Sequence, residues 1–270
     1  MISIKLIKKD MKWILMVLLL ICAVAYGSAG VEEPKKVDWA FDGMTGKFDF
    51  QSIQRGFKVY KEVCSACHSV RLIAFRYLEQ VGFSQEQVKS LAAEYDIEDG
   101  PDDNGDMYKR QGRTSDNIPG PYKNEKQARA SNNGALPPDL SLIVKAREGG
   151  ANYIYSILTG FQDPPADVKL GENMHYNPYF SGGQIAMTPP LVTEGQVTFD
   201  DGTKATIEQM AFDVVNFLQW AAEPEMEERK SLGLRVLVFV GILIVLSWFA
   251  NKAIWSELKK KGKDSDKNKA

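Results

Sequence analysis

Cysteine and histidine are scarce in this chain of 270 residues: only Cys22, Cys64 and Cys67, with His68 and His175. So few thiols exclude a disulfide-stapled framework. So few imidazoles leave little from which to build a metal centre. Basic side chains are absent between Ser90 and Tyr108, where Glu94, Asp96, Glu98, Asp99, Asp102, Asp103 and Asp106 accumulate. Internal repeats are absent as well, which excludes solenoids and propellers. The net charge of −2 is misleading, because the two ends are basic. The first thirty residues carry +3 and residues 235–270 carry +5, which leaves −10 on residues 31–234. A domain of that sign repels nucleic acid and attracts basic proteins.

Most of the scarce ligand chemistry is concentrated in Cys64-Ser65-Ala66-Cys67-His68. This Cys-x-x-Cys-His spacing is that of covalent c-type haem attachment: each thiol adds across one vinyl group, and the following histidine supplies an axial imidazole. Three other readings are weaker. A redox Cys-x-x-Cys does not require the histidine. A disulfide across three residues closes a tight loop of little stabilising value. A zinc site from Cys64, Cys67, His68 and His175 would need adjacent side chains, diverging by about 100° on a helix, to meet at one small ion.

The ends indicate location. Lys5, Lys8, Lys9 and Lys12 precede the apolar run Trp13 to Tyr26, and Gly27-Ser28-Ala29-Gly30 follows, the pattern of a cleaved signal peptide over residues 1–30. Its removal takes Cys22 with it. Leu232 to Ala250 holds a single charge, Arg235, and spans roughly 28 Å as a helix, enough to cross a bilayer. Lys252, Lys259, Lys260, Lys261, Lys263, Lys267 and Lys269 follow, so the tail is expected on the cytoplasmic side and the haem domain outside. The expected organisation is a signal peptide (1–30), a periplasmic haem domain (31–228), an anchor (229–252) and a basic tail (253–270) on a bacterial inner membrane.

Between the ends, periodicity and capping signals predict a mainly α fold. A helix is expected from near Phe50, with Ile53, Phe57, Tyr60 and Cys64 on one face, and a second over Gln85 to Tyr95 after Ser84. The acidic stretch, broken by Gly100-Pro101 and Asn104-Gly105, reads as a loop. Asp139 is placed to cap a helix running to Gly149-Gly150, and a short helix follows over Tyr153 to Leu158. Strands are expected around Val192 to Thr203, with Asp200-Asp201-Gly202 as a hairpin signal. Thr206 and Gln209 match a capping box for a last soluble helix that Pro224 ends. Met187 precedes Thr188-Pro189-Pro190 in a loop ahead of that helix, the position of the second axial ligand in class I cytochromes c; His175 and Met174 are the alternatives.

Five stretches in order, Arg55 to His68, Asn132 to Leu140, Asn177 to Phe180, Ile185 to Leu191 and Phe217 to Pro224, resemble the cytochrome c1 family, haem subunits of the cytochrome bc1 complex (ubiquinol–cytochrome c reductase). The resemblance runs from about Ser52 to Trp255. It implies a class I cytochrome c-like haem domain with loop insertions and one C-terminal transmembrane helix. It implies one haem c bonded to Cys64 and Cys67, His68 and Met187 as axial ligands, and Arg147 beside a propionate, with Tyr153 nearby. The implied partners are cytochrome b, the Rieske iron–sulfur protein and a basic cytochrome c as acceptor, with no catalysis by this chain alone. The alternative is another membrane-anchored monohaem cytochrome c, such as an oxidase subunit.

Overall fold

Helix α1, Phe50–Glu62, starts where Asp49 accepts the amides of Gln51 and Ser52, and buries Ile53, Phe57, Val59 and Tyr60 along one face. The computed structural model describes residues 31–267, with side chains to 257; the expected signal peptide, Cys22 included, and the lysines from Lys259 onward lie outside what it describes in full. The remaining helices are α2 (Gln85–Ala93), α3 (Glu125–Ser131), α4 (Gly150–Thr159), α5 (Ile207–Ala222) and α6 (Met226–Lys267). Two short antiparallel ladders join them: β1 (Asp96–Asp99) with β2 (Tyr108–Gln111), and β3 (His175–Tyr176) with β4 (Gln184–Ile185). Short 3₁₀ helices occupy Cys64–Ala66 and Phe75–Val81.

The chain divides into two compact units. One comprises Pro34–Thr159 with residues 189–267, and the other residues 31–33 with Gly160–Thr188. In the larger unit α1 crosses α5, and Phe217 of α5 packs against Phe57 and Tyr60 of α1, each at 5.5 Å between ring centroids. Offset and edge-on rings at this separation add to area burial. The crossing is tight because residue 56 is Gly: a Cβ there would lie 1.9 Å from the Asp213 carbonyl oxygen and 2.9 Å from Phe217 Cβ. Asp213 is itself buried, and its carboxylate takes Ser52 Oγ at 2.7 Å and two guanidinium nitrogens of Arg55 at 2.8 and 2.9 Å. A buried carboxylate survives only when its charge is paired and its lone pairs are filled, and this one is.

Gly56→Ala therefore has an expected sign. Better helix propensity offers about 1 kcal/mol, but the methyl must displace backbone rather than a flexible side-chain end. Overpacking costs about 1–3 kcal/mol, so the melting temperature should fall by several degrees. Thermal unfolding of the full-length variant beside the wild type checks this; an unchanged midpoint would mean the two helices part without cost.

Capping chemistry sets α2 and α5. Ser84 and Gln87 form a reciprocal capping box, and Thr206 accepts the Gln209 amide at 3.1 Å. Three sequence expectations are corrected. No helix follows Asp139: residues 141–146 form a run of turns, because the Asp139 carboxylate is shared with the segment after His68. No strand forms over 192–203; Asp200 and Asp201 instead pair with Lys58 and Arg55 of α1. The acidic stretch is not a plain loop but the β1–β2 ladder with its turn.

Helix α6 begins at Met226, ahead of the expected anchor, and its first turn is fastened to the rest of the larger unit. Met226 is buried, Glu227 accepts the Phe48 amide at 2.8 Å, and Lys230 donates to the Phe41 carbonyl at 2.5 Å. From Ser231 to Glu257 every residue is exposed, including the uninterrupted apolar surface from Val236 to Ala250. An exposed apolar cylinder of this length is not stable in water, whereas a bilayer solvates it.

Candidate functional site

The segment carrying the two thiols is a single 3₁₀ turn placed directly after α1. Its amides close on Cys64: the N–H groups of Cys67 and His68 both donate to the Cys64 carbonyl, at 3.1 and 2.9 Å. Ser65 Oγ returns to the Lys61 carbonyl at 2.7 Å, filling an acceptor that the end of α1 leaves open. Both cysteines are free thiols; Cys64 is half-buried and Cys67 exposed. Burial pushes the Cys64 thiol up to about 12, with the neighbouring Cys67 adding to it. The thiol is therefore neutral at pH 7, the protonation state in which it would add across a vinyl group.

His68 is half-buried. Its Nδ1 lies 2.8 Å from the Pro138 carbonyl oxygen. A carbonyl can only accept, so Nδ1 carries the proton and Nε2 keeps its lone pair. Burial lowers the imidazole pKa, against the Pro138 carbonyl and the charge of Asp139, which raise it. The ring is thus held neutral with one nitrogen oriented and the other available, as an axial ligand requires. Tyr60, buried on the core face of α1, donates its hydroxyl to the His68 carbonyl at 3.1 Å, fixing that residue from the backbone side. The donor set therefore fits a c-type haem: two uncommitted thiols and one oriented neutral imidazole on five consecutive residues.

Arg147 lies in the run of turns before α4 with its guanidinium exposed, donating to the Ala146 carbonyl at 3.0 Å. Tyr153 is half-buried on α4; burial raises its pKa, and the positive charge of Arg147 acts against that rise, so the two are neighbours. Gly149 adopts φ +83°, and a Cβ there would meet Pro34 Cγ at 3.1 Å and Tyr153 Cβ at 3.2 Å. Met187 belongs to the smaller unit, half-buried in the irregular segment after β4. His175 is engaged in the β3–β4 ladder opposite Ile185, and Met174 precedes it. Met210 is fully buried in the core of the larger unit, while Met44 and Met107 are exposed.

Three contributors escape a reading of the sequence alone: Tyr60, assigned only to packing, Pro138, and Asp139, assigned to a helix cap. A tyrosine one turn ahead of the first cysteine and a Pro-Pro-Asp motif are the signals, but the pairing of Pro138 with His68 spans 70 residues and has no local signature.

Known proteins point the same way. The profile of the Cytochrome C1 family matches residues 39–258. "Cytochrome c1, heme protein, mitochondrial" of Schizosaccharomyces pombe is 51% identical over 222 residues, covering 82% of this chain and 72% of that protein. "Cytochrome c1" of Rhodospirillum rubrum is 46% identical over 257 residues, 89% of this chain and 94% of the relative. The "Cytochrome b-c1 complex catalytic subunit, mitochondrial" of Candida albicans is 51% identical over 227 residues, 84% of this chain and 78% of its own length. Agreement of this extent along nearly the whole described chain has one meaning: it belongs to the Cytochrome C1 family, a family of c-type haem proteins.

Proposed function

We propose that this chain is the haem subunit through which a bc1-type complex passes single electrons from a Rieske iron–sulfur protein to a basic cytochrome c. The observation that carries the reading is the oriented imidazole: His68 Nδ1 bound to the Pro138 carbonyl, directly after a Cys-x-x-Cys pair of free thiols. When bound, haem c supplies a one-electron iron couple. Cys64 and Cys67 would hold it covalently, His68 and Met187 would supply its iron ligands, and Arg147 would offset propionate charge, with Tyr153 alongside. An iron with both residues as ligands would keep no open site for oxygen or peroxide chemistry, which favours electron transfer over catalysis by this chain itself.

The exported domain stands on the outer, periplasmic face of a bacterial inner membrane, with α6 crossing it and the basic tail inside. The fastened first turn of α6 keeps the haem-bearing unit near the membrane surface, where a membrane-bound donor and cytochrome b are within reach. Solubilising the membranes in mild detergent and isolating the full chain tests the reading. Pigment that resists acid–acetone extraction and co-isolates with a b-type cytochrome supports it. Retained pigment without the b-type partner favours a tethered carrier or oxidase subunit, and extractable pigment ends the covalent-haem reading.

A further inference from the structure

We infer that Asp139 is a positioning residue for the axial histidine: it clamps the Pro138 carbonyl against His68 and thereby tunes the donor strength of that imidazole. The inference rests on the reading of His68 as an iron ligand. Pro137 and Pro138 lack backbone N–H groups, so the acceptor of the His68 hydrogen bond cannot be tied down by its own amide or the one before it. The next residue does the tying. Asp139 Oδ2 accepts Ser69 Oγ at 2.7 Å, the Arg71 amide at 3.0 Å and Arg71 Nε at 3.2 Å, while Oδ1 accepts the Ser141 amide at 2.9 Å. The Leu140 amide adds a bond to the Ser69 carbonyl at 2.7 Å, and the Leu72 amide one to Ser141 Oγ at 3.1 Å.

These contacts form successive rungs between two segments about 70 residues apart: His68 to Pro138, Ser69 to Asp139, Leu72 to Ser141. The carboxylate is the rung beside the ligand. Its side chain is only 20% exposed, so water replaces few of its bonds. Asparagine cannot substitute for it, because an amide presents one oxygen and one NH2, and either orientation sets N–H against N–H at one end. Alanine removes every rung that the side chain makes. Once Pro138 is released, the Nδ1–H bond weakens, the imidazole donates less to iron, and the oxidised state loses stabilisation.

The test is a redox titration of the haem-loaded full chain in membranes, comparing the wild type with Asp139→Ala, Asp139→Asn and Ser141→Ala. Expected is a rise in midpoint potential, larger for alanine than for asparagine, with hydrogen–deuterium exchange of the His68 Nδ1 proton faster by roughly tenfold, the factor for losing about one hydrogen bond. Ser141→Ala removes a hydroxyl that bonds the Leu72 amide and also reaches the Asp139 carboxylate, but leaves that carboxylate its bonds to Ser69 and Arg71, so it should lower the melting temperature and move the potential less than either Asp139 variant. The asparagine variant is read alone where the alanine protein does not retain haem. Potentials of both Asp139 variants at the wild-type value, or an equal shift in Ser141→Ala, overturn the inference. A wild-type chain without covalent haem would instead remove the reading beneath it.

Discussion

Replacing Met187 by Leu should leave haem bonded through the two cysteines and lower its midpoint potential by roughly 0.2–0.3 V, within the ~0.8 V span that axial ligation commands. A thioether favours the reduced iron, and leucine offers no donor. For a one-electron couple each 59 mV is a factor of ten, so the equilibrium constant for reduction by an unchanged donor falls by about three to five orders of magnitude. Electron flow through the complex should then nearly stop while the pigment content stays normal. The alternatives separate by burial and setting. Met210 is 0% exposed between helices and could reach iron only by opening the core. Met44 and Met107 are 69% and 57% exposed, too free to be held. Met187 is half-buried, in a segment that Pro189 and Pro190 stiffen. A variant with wild-type potential would transfer the role to Met174 or His175.

The parts of this molecule that the sequence announces are those whose causes are local. Helices α1, α2, α4 and α5 follow from apolar spacing and from Ser84 and Thr206 at their starts. Helix α6 follows from unbroken hydropathy, and the thiols and His68 from their spacing. What stayed hidden depends on distant partners. Asp139 has the right type and place for a helix cap, yet most of its carboxylate bonds go to Ser69 and Arg71, and turns result. Asp200 and Asp201 look like a hairpin tip, but ion pairs to Lys58 and Arg55 fix them instead. Helix α3 has no apolar periodicity to announce it, since it is seven residues long and buries only Ala128. The β1–β2 ladder has no strand signal either, being acidic and broken by glycine, and Arg110 of β2, which reaches both Asp99 and Asp116, holds it instead.

That ladder turns a charge run into a shaped surface. Arg110 binds Asp116 through both Nη atoms, at 2.6 and 2.9 Å, and holds the carboxyl at about 2, so this brace stays charged at neutral pH. Three acids of the stretch are paired: Asp99 with Arg110, Glu98 with Lys123 and Glu94 with Lys61. Among the described residues Asp96, Asp102, Asp103 and Asp106 form no ion pair, and all four are exposed. Met107 and Tyr108 stand exposed beside them, so the tip joins negative charge to apolar area, as protein-docking patches do.

Changing Asp102, Asp103 and Asp106 together to Asn removes three charges at nearly constant shape. Asp102 Oδ1 accepts the amides of Asn104 and Asp106, both at 2.9 Å, and an asparagine oxygen can take the same bonds. Steering by a charged patch multiplies association rates by about 10–10³ at low ionic strength. The bimolecular rate of reduction of a basic cytochrome c should therefore fall at least about tenfold at 0.01 M salt, where the Debye length is about 30 Å. At about 1 M salt that length is about 3 Å, and the variant and wild type should converge. Stopped-flow rates across that range, with the haem potential measured alongside, separate steering from altered chemistry: a parallel offset at every salt concentration would assign the loss to the redox step, and coincident curves would leave the acidic tip as a solvated surface.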